Sequence, residues 1–208
     1  MRRIITAGIL LVLSLAGAWS VQLSRADAAV REGTDEGIAR AIELVPGNAA
    51  YLAMDGIQQE TAGLDATEIF ERVAQLNPTL AGPRLRLGLA AERQGDATAA
   101  ERWLLEANAV DKQFEPRWTL ANFYLRQGKR DEFWKWIRAA AAVSYGERDE
   151  LFDLCWRASD DPAEILRAIP SAGPVHEAYL LYVVSQPRIE AIAAAARGAQ
   201  DERLLLVA

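Results

Sequence analysis

The feature that most restricts how this chain can fold is a pattern written twice between Pro83 and Ala140. Leu87, Gly88, Ala91, Gly95, Leu104 and Ala107 are answered 33 residues later by Leu120, Ala121, Tyr124, Gly128, Ile137 and Ala140. A period of this size, with two helices per unit, specifies stacked helical hairpins, each burying its apolar face against its neighbours. In each unit the first helix carries a large apolar residue, a small one, and a further apolar one three positions on. The small residue lets the partner helix come close. Gly95 and Gly128 follow as caps able to adopt positive φ. A second helix then presents Ala100, Leu104 and Ala107, or Phe133, Ile137 and Ala140, at the four-then-three spacing of one buried face.

A third copy precedes these two. Gly56 aligns with Gly88 at an offset of 32, while Ala66, Phe70, Val73 and Pro78 align with Ala100, Leu104, Ala107 and Lys112 at 34, so the loop between its helices reads as two residues shorter. The second half of a still earlier copy is visible in Ile38, Ala41 and Pro46, with Glu43-Leu44-Val45-Pro46 echoing Gln75-Leu76-Asn77-Pro78. From about Asp35 to Val143 the chain resembles the tetratricopeptide repeat (TPR) family. It departs from the family pattern at Phe133, where Ala is usual, and in lacking the closing Pro after the second and third complete copies. The resemblance implies an all-α, TPR-like solenoid of helical hairpins whose first helices line a concave, partner-binding face.

Ahead of the repeats, Arg2 and Arg3 precede an uncharged run from Ile4 to Val21. This approaches the roughly 20 apolar residues that span a bilayer. Residues 1–23 therefore read as a signal anchor or signal peptide, with 24–34 a polar, Ala-rich tether or the start of the first helix. Two basic residues before the run place the N-terminus in the cytoplasm and the body outside it. Ala16-Gly17-Ala18 and Ala26-Asp27-Ala28 both carry small residues at signal-peptidase spacing. The readings that follow are a retained single-pass anchor, favoured by Trp19 at interface depth, and a soluble periplasmic or secreted protein after cleavage.

Repeats occupy 35–145, and 146–208 reads as an irregular C-terminal helical cap. Ser144-Tyr145-Gly146 breaks the pattern, a helix follows from Glu147 to Trp156, and Ser159-Asp160-Asp161-Pro162 has the acidic cap and early Pro of a helix start. That helix stops at Pro170. Gly173-Pro174 opens another, which ends before Pro187. A last helix from Arg188 to Arg197 is capped by Gly198, and the chain closes on Leu204-Leu205-Leu206-Val207. The segment Trp156 to Pro170 is similar to one that follows the repeats in some membrane-anchored bacterial TPR proteins linked to cell-surface polysaccharide loci. This likeness implies a role in envelope or surface-polysaccharide assembly.

Composition argues against several classes of function. The net charge is −6, and more negative once Arg2 and Arg3 are set aside, so the body repels phosphate backbones and no nucleic-acid partner is expected. His176 is the only histidine, which excludes a metal site of several imidazoles. It sits at a helix start, where a surface or capping role accounts for it. Asp160-Asp161 is explained by capping, and Gly95 and Gly128 stand singly, without phosphate-loop spacing. Cys155, the one cysteine, sits between Leu154 and Trp156 as a small core residue. No catalytic residue, metal or cofactor is expected.

What remains is contact chemistry. The positions facing the groove in TPR proteins map here to Leu85, Leu89, Glu92 and Arg93 in one copy and Trp118, Asn122, Leu125 and Arg126 in the next. Asn122 matches part of the carboxylate clamp of some family members, but the clamp's basic partner four residues earlier is Trp118. A mixed apolar and cationic groove results. Trp134 and Trp136 form a second candidate surface: they project about 200° apart on one helix, so the inner face cannot hold both, and one is expected to be partly exposed near Lys135 and Arg138. The leading function is a non-enzymatic scaffold for a protein or peptide partner, tethered to the outer face of the bacterial inner membrane. The alternatives are an accessory subunit of an envelope enzyme and a structural spacer with no groove ligand.

Overall fold

The computed structural model describes residues 2–146, 148–170 and 173–186, together with Ala193. The last expected helix, its Gly198 cap and the closing Leu204 to Val207 lie outside the described residues. Among those described there are eleven helices and no strand. They divide into two compact units, residues 1–94 and 95–208.

The first unit holds α1 (Arg2–Val30), α2 (Asp35–Leu44), α3 (Ala49–Thr61), α4 (Thr67–Leu76) and α5 (Gly82–Arg93). Each packs on the next in sequence. Residues 24–30 are not a tether: they are the last turns of α1, and they supply the first helix of the earliest hairpin, whose second helix is α2. Ala26 and Ala29 of α1 are buried with Ala41, Val45 and Tyr51, flanked by Leu23 and Ile42. The Tyr51 hydroxyl donates to Asp27 at 2.5 Å, and the Gln22 amide to the carbonyl of Leu44 at 2.5 Å. Burial and then the Asp27 carboxylate push the Tyr51 phenol up to about 12, so it remains a donor at any physiological pH.

Two glycines set how closely these helices approach. A Cβ on Gly37 would lie 2.3 Å from the carbonyl oxygen of Ala29, across the α1–α2 contact. One on Gly56 would lie 2.9 Å from the ring of Phe70, across α3–α4. Gly56 thus fills the small-residue position that its alignment with Gly88 predicts. The offset between copies resolves differently from the expected shorter loop. The α3–α4 connection, residues 62–66, is longer than residues 94–96, which join α5 to the helix that follows. It is α4 that is short, 10 residues against the 14 of that next helix, starting three residues before Phe70. Asp65 makes that late start favourable, accepting hydrogen bonds from the backbone N–H and the hydroxyl of Thr67.

The second unit holds α6 (Ala97–Val110), α7 (Phe114–Arg126), α8 (Arg130–Ala141), α9 (Asp149–Ala158), α10 (Pro162–Ala168) and α11 (Pro174–Ser185). The repeat positions Ala100, Leu104, Ala107, Leu120, Ala121, Tyr124, Phe133, Ile137 and Ala140 are all buried. Gly128 ends α7 at φ 68°, as its capping position requires. Asp161 caps α10, accepting from the Ala163 N–H at 2.9 Å. Cys155 is fully buried, and burial pushes its thiol up to about 12, leaving an inert core sulfur.

Trp134 and Trp136 depart from the expectation of one exposed indole, since both are buried. Their divergence on α8 is accommodated because that helix packs against α7 as well as against α9 and α10. It therefore has two covered sides rather than one. Trp134 meets Phe133 edge-on at 4.7 Å, and Lys135 lies over the Trp136 ring at 5.4 Å.

α10 is tied down by Glu164, which pairs with Arg130 and accepts from the Ser159 hydroxyl at 2.6 Å. Those two donors hold its carboxyl down at about 2. A carboxyl whose pKa is lowered on folding adds stability above its unfolded value, and loses it as pH falls toward the folded one. Glu164→Gln should lower the unfolding free energy by about 1 kcal/mol at neutral pH, allowing for the exposed Arg130 partner. In urea titrations the gap between wild type and variant should close between pH 4.5 and 2. Gly37→Ala should cost about 2 kcal/mol, the middle of the overpacking range. It should exceed Gly56→Ala, because a backbone carbonyl yields less readily than a ring; thermal melts by circular dichroism of both variants check the order.

Candidate functional site

A concave site is found in each unit among the described residues. In the second unit a pocket of about 480 Å³ lies between α7 and α9, lined by Trp118, Glu150, Asp153, Trp156 and Arg157. Trp118 is the sequence-predicted member. Its ring stacks on Phe114 four residues earlier, with centroids 5.7 Å apart and planes 16° from parallel, so the indole is held in one orientation. Asn122 donates its side-chain amide to the carbonyl of Trp118 at 3.0 Å. It thus serves its own helix, and clamp-like presentation of that amide to a ligand is not what this geometry provides. Leu125 is half-buried and Arg126 exposed, and neither lines the pocket.

The opposite wall comes from α9. Glu150, Asp153 and Arg157 follow one another at helical spacing and share a face. The Tyr182 hydroxyl of α11 donates to the Asp153 carboxylate, and Tyr182 is itself packed against Phe152 and Tyr179. The expected mixture of apolar and cationic groups is therefore, in this unit, mainly aromatic and acidic. These α9 residues were not among the expected site positions. The break in period around 143–148 leaves no fixed offset by which to map them, and Trp156 read only as a packing residue. It is buried, with its surface remnant turned to the pocket.

In the first unit a concavity of about 520 Å³ lies between the α3–α4 connection and α5. Its walls include Glu60, Leu64, Phe70, Arg86, Ala90 and Arg93. Of the four residues expected here, only Arg93 lines it. Leu85 is buried and belongs to the core, because it lies on the side of α5 shared with Gly88; Leu89 and Glu92 are half-buried. Nor is Arg93 a free cation. It pairs with Glu60 at 2.8 Å, and Arg86 pairs with the same carboxylate while lying over the Phe70 ring at 5.6 Å. Burial would raise the Glu60 carboxyl, but hydrogen bonds from Arg93 and then Arg86 bring it below the ordinary range. The concavity is charge-compensated from within the chain.

Among the described residues, no three His, Cys, Asp or Glu side chains come together as a metal site. Asp161 is occupied as the α10 cap, Asp160 is exposed, and His176 is half-buried in the first turn of α11.

No protein-family model matches this chain, and no curated protein does either. Solved structures do. A structure described as that of MamA protein superposes with a TM-score of 0.51 at 17% identity, over 89% of this chain and 93% of that one. A structure reported under the functional characterization of Pseudomonas aeruginosa pilF gives 0.54 at 17% identity, over 91% and 92%. Both are TPR-repeat structures, and the likeness establishes a TPR-like, all-α fold for this chain.

Proposed function

We propose that this protein is a non-enzymatic scaffold, anchored by α1 to the outer face of the bacterial inner membrane, that holds a protein partner for envelope assembly. The observation that carries the reading is the continuity of α1. One unbroken helix of 29 residues is long and apolar enough to cross a bilayer, leaves residues 5–21 uncovered, and ends inside the core of the first hairpin. At 1.5 Å per residue its uncharged run, 4–21, approaches the thickness of a hydrocarbon layer. Arg2 and Arg3 at its start favour a cytoplasmic N-terminus.

Retention of the segment is supported by the same continuity. Cleavage after Ala28 would remove Ala26 and the Asp27 acceptor of Tyr51, leaving α2 without most of its partner helix. Cleavage after Ala18 would spare that contact. Cleavage after Ala28 is thereby disfavoured, and in the reading proposed here the protein stays in the membrane as a single-pass chain whose α7–α9 pocket supplies the recognition surface. Polysaccharide assembly as the pathway rests on the short likeness of residues 156–170 alone.

Two measurements test this. Intact-mass analysis of protein extracted from membranes should return a chain that still contains residues 2–30; a mature N-terminus at 19 or 29, with the protein in the soluble periplasmic fraction, would remove the anchor. Affinity capture of the full-length, membrane-extracted protein beside a Trp118→Ala/Arg126→Ala variant of unchanged helicity should show a partner lost from the variant. Equal recovery from both would move recognition away from Trp118 and Arg126, and an empty capture counts against the scaffold.

A further inference from the structure

We propose that the pocket between α7 and α9 receives a cationic side chain, arginine or lysine, from the protein partner. This rests on the scaffold reading and gives its recognition surface a chemistry. The pocket combines two features that attract cations by different physics. Trp118 offers half-exposed indole surface, and Trp156 a smaller buried remnant beside it; the electron-rich faces of such rings draw ammonium and guanidinium groups. Glu150 and Asp153 add two carboxylates from consecutive turns of α9.

The Asp153 carboxylate and the Trp118 ring are set before anything binds. The Asp153 carboxylate accepts from the Tyr182 hydroxyl, which orients it and leaves lone pairs for a second donor. Tyr182 has little freedom to move, being buried and packed on Phe152 at 5.2 Å. Trp118 is fixed by its stack on Phe114. Such preorganisation lowers the ordering cost of taking up a long, flexible side chain. Glu150, in contrast, is exposed and free to close over a bound group.

Arg157 also lines the pocket, so the balance is two negative charges to one positive. That arrangement admits one cation and disfavours a second. The net charge of the whole chain, −6, favours approach of a basic partner over an acidic one. About 480 Å³ is room for one long side chain and its remaining waters rather than for a folded element. The first unit's concavity offers no such vacancy, because Glu60 there is already shared by Arg86 and Arg93.

The test uses the full-length chain in detergent micelles, with the indole N–H resonances of Trp118 and Trp156 assigned by Trp→Phe replacement. Capped pentapeptides of sequence Ser-Ala-Xaa-Ala-Ser are titrated with arginine, lysine, norleucine or glutamate at the central position. The arginine and lysine peptides should move both indole signals, and norleucine should bind about tenfold more weakly or worse, the loss of the charge interactions corresponding to roughly 1.4 kcal/mol. A Glu150→Gln/Asp153→Asn variant, which keeps shape and removes charge, should weaken the arginine peptide about tenfold with its melting curve unchanged. The proposal is overturned if glutamate or norleucine binds as well as arginine, if the neutral variant binds arginine like wild type, or if no peptide moves either indole. Should it fail while capture still loses a partner on Trp118→Ala/Arg126→Ala, the scaffold stands and only the cation assignment falls. Failure of the scaffold itself is read from the capture.

Discussion

The fold depends on how closely consecutive helices can approach, and in the first unit that distance is fixed by missing side chains. Interhelical spacing follows the size of the residues at the crossing. With Gly37 against the Ala29 carbonyl and Gly56 against the Phe70 ring, the helices meet backbone to backbone or backbone to ring. Small alanines (Ala26, Ala29, Ala41) complete the seam. In the second unit the same pairing of helices is filled by rings instead. Phe133 stands where the preceding copy has Ala100, and Phe123, Tyr124, Trp134 and Trp136 are buried around it. One repeat pattern thus supports two ways of filling the space between helices.

Polar fastening recurs in a common form. Tyr51 donates to Asp27, Tyr124 to Glu101 at 2.8 Å, and Tyr182 to Asp153, each hydroxyl reaching a carboxylate on an earlier helix. Burial raises the first two phenols, Tyr124 more than Tyr51, so these donors do not switch off with pH. On the other side of one such bond, Glu101 is held low by Lys129 and then Tyr124. The bonds join helices without needing a buried charge to stand alone, which would be costly.

The repeat was readable in the sequence because its constraint is local and periodic: a small residue, a capping glycine and an apolar stripe recur at one offset. What lay outside that period was harder to read. Residues 24–30 look polar and Ala-rich, yet alanine is the strongest helix former, and Ala26 and Ala29 provide the smooth face that Gly37 approaches. The pattern of α8 predicts one covered side and hence one exposed tryptophan, whereas the helix is covered on two. Of the site, Trp118 was legible and the α9 wall was not. The break in period around 143–148 moves α9 out of step with the repeat while leaving it beside α8. Arg93 was legible as a position but not as an occupied group, since its partner Glu60 lies 33 residues away on another helix.

The continuity of α1 has a consequence for geometry. Its apolar turns and the turns that pack against α2 share one axis without an intervening joint, so they are locked in phase. Each residue of an α-helix advances the chain by about 1.5 Å and turns it by about 100°. Adding a single residue to the uncovered half would therefore leave the hairpin's own packing intact while swinging it about a quarter-turn around the helix axis. Adding a full heptad would lift it by about 10 Å and bring it nearly back to its original bearing. Length in this segment sets a compass direction as well as a height.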